Sequence, residues 1–85
     1  METAFEEMIE VAKRLGIVVR HVKLGGGGGG MAKVKGMRQL FIDLDADPED
    51  QLEQTARALA GVTEMENIFV RADVRELLER YQRKM

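Results

Sequence analysis

A chain of 85 residues without a cysteine has no disulfide, no thiolate metal site and only a thin core to hold it together. Thirteen Lys and Arg stand against 15 Asp and Glu, and no apolar run approaches the ~20 residues needed to cross a bilayer. The expectation is one domain over 1–85 with no membrane partner, and cytoplasmic, because Met1-Glu2-Thr3-Ala4-Phe5-Glu6-Glu7 is acidic where a secretory signal is basic and then apolar.

Thr3-Ala4-Phe5-Glu6 reads as a capping box, and Phe5, Met8, Ala12 and Leu15 follow helical spacing up to a C-terminal Gly16. Ile17 to Leu24 is rich in β-branched residues and predicts a strand. After the glycine run, Met31 to Val34 predicts a short strand, and Lys35-Gly36 a two-residue turn. Gln39 to Asp45 alternates, with Leu40, Ile42 and Leu44 on one face and Phe41 and Asp43 on the other. Asp47-Pro48 opens a second helix that ends at Gly61. Met65 to Val70 reads as a last short strand or an extended connector, and Asp73 caps a final helix that buries Val74, Leu77, Leu78 and Tyr81. The expected architecture is α+β: a small antiparallel β-meander with three helices, mainly on one face of the sheet.

Charge is segregated along the chain. Val11 to Ile42 holds seven bases and no acid, whereas Asp43 to Asn67 holds eight acids against Arg57 alone. Such a split bears on partners and self-association rather than on fold.

Gly25, Gly26, Gly27, Gly28, Gly29 and Gly30 satisfy G-x-G-x-x-G trivially. The dinucleotide fingerprint needs a helix after the glycines, and here a strand follows; the P-loop needs Gly-Lys-Ser/Thr, which is missing. Ordering six glycines costs on the order of 1–2 kcal/mol per residue in backbone entropy, so a flexible connector is the first expectation. The alternative is an anion-binding nest of backbone amides flanked by Lys23, Lys33 and Lys35.

His21 is the one histidine, and the chain has no serine, so a Ser-His or Cys-His pair cannot form within it. Asp43-x-Asp45-x-Asp47 begins like a calcium loop but places Pro48 where the turn glycine belongs and Gln54 where the bidentate glutamate belongs. The stretch "LFIDLDADPED" resembles the first motif of haloacid-dehalogenase-type phosphotransferases, a resemblance that implies Asp43 as nucleophile and Asp45 as acid or base in metal-assisted phosphoryl chemistry. It lacks the Gly-Thr that follows in that family, and the chain is too short for that fold.

The stretch "VKGMRQLFIDLDADPEDQLEQTARALAGV" resembles the hairpin, strand and helix of ImmA/IrrE-type zinc peptidases. At the helix that carries His-Glu-x-x-His in that family, this chain has Arg57 and Gly61 in the histidine places and Ala58 in place of the catalytic glutamate. The resemblance therefore implies the scaffold without zinc chemistry. The chain also resembles short bacterial proteins with a glycine-rich loop between strands, a likeness that implies no activity.

These readings predict a non-enzymatic interaction or regulatory module with no catalytic residue, no metal and no cofactor. Apolar residues on both strand faces predict a homodimer, with Phe41 and Ile17 or Val19 near its centre. The alternative is an anion or nucleic-acid binder acting through the glycine loop. The absence of aromatics between Arg20 and Arg38, around the glycine run, disfavours single-stranded nucleic acid.

Overall fold

The computed structural model describes residues 3–82, the side chain of Glu66 excepted. Helix α1 (Ala4–Arg14) begins on a closed capping box: the Thr3 hydroxyl accepts from the Glu6 amide at 3.1 Å, and the Glu6 carboxylate accepts from the Thr3 amide at 2.9 Å. It ends in a Schellman turn, in which the Gly16 amide donates to Lys13 and the Ile17 amide to Ala12. Gly16, at φ 80°, supplies the left-handed residue this turn needs. The reversal drives Ile17 into the core at 2% exposure, ahead of the first strand.

Three strands follow: β1 (Val18–Val22), β2 (Gly30–Val34) and β3 (Met37–Asp43). They form one mixed sheet in the order β1-β3-β2. This corrects the expected antiparallel meander, because β1 pairs with β3 in parallel, Val19 beside Leu40, while only β2 and β3 form a hairpin. Period-two alternation marks each strand but carries no information on which strands pair. The seven-residue β3, with Leu40 and Ile42 both buried, takes the central place. The connection from β1 to β2 must then cross the end of β3, about 10 Å at ~4.8 Å per strand spacing.

Helix α2 (Pro48–Ala60) starts at an N-cap, Asp47, whose carboxylate accepts from the Asp50 amide at 2.9 Å. A 3-10 turn (Thr63–Asn67) and a short connector lead to helix α3 (Ala72–Gln82), so the stretch from Met65 to Val70 contains no strand. All three helices join Leu40 and Ile42 in one core that includes Met8, Val11, Ala56, Leu59, Val74 and Leu78. Arg38 ties β3 to the 3-10 turn through two bonds to Glu64, at 3.1 and 3.2 Å. Val19 and Met31, the lateral neighbours of Leu40, pack against the same core. By alternation, Met37, Gln39 and Phe41 point the other way.

Candidate functional site

The glycine stretch arches over the carboxyl end of β3, and the residue beneath it is Asp43. Its side chain is fully buried, and its two oxygens accept four backbone amides. Oδ1 takes Leu24 and Asp45, each at 2.9 Å, and Oδ2 takes Gly26 at 2.7 Å and Gly28 at 3.0 Å. The Asp45 carboxylate accepts a fifth amide, that of Gly25, at 2.9 Å. Burial alone would push the Asp43 carboxyl up, but the amides of Gly28, Leu24, Asp45 and Gly26 outweigh it and hold the group below its ordinary value of 3.8.

Helix α2 braces this arrangement from the core side. Gln51 Nε2 donates at 3.0 Å to the Asp43 and Ala46 carbonyls, and Gln54 Nε2 donates at 3.2 Å to the Gly26 carbonyl. The other end of the Gln54 amide lies against the Cα of Gly29, where a Cβ would collide with Oε1. At Gly28 a Cβ would stand 2.5 Å from the Leu24 Cβ. Two of the six glycines are therefore set by close approach. Three more, Gly25, Gly26 and Gly30, are set by positive φ of 86°, 100° and 145°.

The arch leaves little of the anion nest expected from the sequence. The amides of Gly25, Gly26 and Gly28 already face carboxylates of the chain itself. The ring of cations does not assemble either. Lys23 is exposed at the foot of the arch, but β2 carries Lys33 away from Gly30, and Lys35 stands in the β2–β3 turn at the opposite end of the sheet. At ~3.3 Å per residue Lys35 is about 17 Å down the strand from Gly30. His21 is exposed on β1.

Asp43 is equally unsuited to the nucleophilic role implied by the phosphotransferase resemblance. It has no exposed surface, and both oxygens are directed at amides, so neither can approach a phosphorus atom without dismantling the arch. Among the described residues, no three His, Asp or Glu side chains gather as a ligand set for a metal. A cleft of about 310 Å³ lies between the arch and α2, lined by Gly27, Gly29, Gly30, Gln54 and Arg57 among others. The Arg57 guanidinium at its rim is engaged by Glu53 at 2.6 Å and lies 5.2 Å from the centroid of the Tyr81 ring.

A further surface feature is the side of the sheet turned away from the core. Register places Val18, Gln39 and Ala32 in one row of this side, Arg20, Phe41 and Gly30 in the next, and Met37 beside Val34 below. Val18 is 37%, Val34 43% and Met37 54% exposed, and Phe41 is half-buried. Ile17 and Val19, expected with Phe41 at an interface, lie on the core side instead, Ile17 because the Schellman turn directs it inward. The alternation around Phe41 was the sequence signal for Val18, Val34 and Met37. No local signal marked Gln51 and Gln54, whose partners lie on backbone that only the fold brings near.

Compared with known proteins, the chain matches no family model, no curated protein and no solved structure.

Proposed function

We propose that this chain is a non-enzymatic interaction module that forms a homodimer through the apolar side of its sheet. One observation carries the reading: Val18, Val34, Met37 and Phe41 form an apolar surface on a sheet whose other side already packs on α1 and α2. An apolar sheet face left uncovered marks an interaction surface, to be closed by a helix or by another chain. The chain has no further helix among its described residues to supply that cover.

The order of hairpin, central strand and helix in β2, β3 and α2 supports kinship with the ImmA/IrrE scaffold, and Arg57, Ala58 and Gly61 stand where zinc chemistry would need His, Glu and His. Anion docking at the arch is the weaker reading, because Asp43 and Asp45 compete for the amides it would use.

Sedimentation at tens of micromolar is expected to show a dimer, and Phe41→Asp a folded monomer. A natural chain that sediments as a monomer, with Phe41→Asp unchanged in both fold and mass, would refute the reading.

A further inference from the structure

We infer that the second copy stacks sheet on sheet about a two-fold axis running along β3, so that β1 of each protomer covers β2 of the other. This rests on the homodimer reading and adds the symmetry of the contact. The apolar side has an unequal pair of flanks. On β1 stand Val18, Arg20 and Val22; on β2 stand Gly30, Ala32 and Val34. Two rows pair a bulky residue with a small one across β3: Arg20 and Gly30 both neighbour Phe41, and Val18 and Ala32 both neighbour Gln39.

An axis along β3 preserves the rows and exchanges the flanks. Arg20 then lies over the partner's Gly30 and Val18 over the partner's Ala32, so each large side chain faces a shallow place. An axis across the strands at the Phe41 row would instead lay Gly30 on Gly30 and Arg20 on Arg20, a void beside two like charges, which close-packed interfaces do not tolerate. Arg20 fits the first arrangement in charge as well as shape. Its stem crosses the partner's edge strand while the guanidinium reaches past that edge into water.

The area is modest. Three strands of five to seven residues span roughly 14 by 20 Å, below the ~800 Å² per partner of a standard interface, so association belongs in the micromolar range.

Gly27 offers a place to read the symmetry, because a Cβ there meets nothing within 4 Å and the natural chain has no cysteine. A nitroxide attached to Gly27→Cys gives one inter-label distance per dimer by double electron–electron resonance. With the axis along β3 the arches lie side by side, and the expected distance is ~15–20 Å; an axis across the strands separates them by ~35 Å or more, from 3.3 Å per residue and ~10 Å between sheets. A dimer with the long distance would overturn this inference while leaving the homodimer intact. A labelled chain that sediments as a monomer would overturn both. As a second measurement, Ala32→Leu fills the place opposite the partner's Val18, and is expected to weaken association at least tenfold without altering the far-ultraviolet spectrum. Unchanged association would count against the exchange of flanks.

Discussion

At Gly28 a methyl group would meet the Cβ and carbonyl of Leu24, near-backbone atoms that cannot step aside, whereas at Gly27 it would meet nothing within 4 Å. Gly28→Ala is therefore expected to destabilise the fold by ~1–3 kcal/mol, as overpacking does. Gly27→Ala, at an ordinary φ, is expected to stabilise it by ~0.4–1 kcal/mol by restricting the unfolded chain. Urea unfolding of the two variants, side by side, checks this; equal responses would mean that the arch is slack. The residue they surround gives a second expectation. Asp43 is ionised with four amides directed at it, so Asp43→Asn replaces an acceptor with a group that presents its own donors to the same amides. The sign of the pH dependence follows from the lowered carboxyl. The stability that Asp43 contributes is present above its unfolded value of 3.8 and is lost as pH falls through the lower folded value. The midpoint difference between the natural chain and Asp43→Asn should stay level above about pH 5 and close in stronger acid. A gap that closes near pH 6 would point to a different group.

Between residues and the molecule, the connections decide the architecture. The β2–β3 turn places both Lys35 and Gly36 at positive φ, 51° and 81°, as a type I′ turn requires. Only the glycine is suited to it, so Lys35→Asn is expected to stabilise the hairpin by ~0.5–1 kcal/mol, read as a higher unfolding midpoint. That turn was legible in the sequence, as were α1 with its capping box and α2 with Asp47-Pro48, because each depends on residues within one helical turn of one another. The parallel pairing of β1 with β3 was not. Neighbouring strands in a hairpin need two linking residues, and the seven from Lys23 to Gly29 were the available sign that this link crosses a third strand. Asp43 was hidden for the same reason. A carboxylate at a strand end reads as exposed, and its burial makes sense only once the glycine amides have been brought over it.

For the whole molecule, Leu40 and Phe41 are adjacent on the central strand and separate the two kinds of burial. Leu40 is fully buried among the helices, so Leu40→Ala should remove ~2–5 kcal/mol at any protein concentration. An 85-residue chain has a total of roughly 4–13 kcal/mol, so this single change takes a large share of it. Phe41 points away from that core, and its partner atoms under the homodimer reading belong to another protomer. The unfolding midpoint of the natural chain should then rise with concentration, a tenfold increase corresponding to about 1.4 kcal/mol per mole of dimer. Phe41→Ala should lose most of this dependence while keeping the stability of the dilute chain nearly unchanged. Differential scanning calorimetry of the natural chain, Leu40→Ala and Phe41→Ala, each at two concentrations a hundredfold apart, separates the cases. If Phe41→Ala lowers the midpoint as much in dilute as in concentrated solution, then Phe41 stabilises the protomer itself and the apolar side of the sheet is not closed by a second copy.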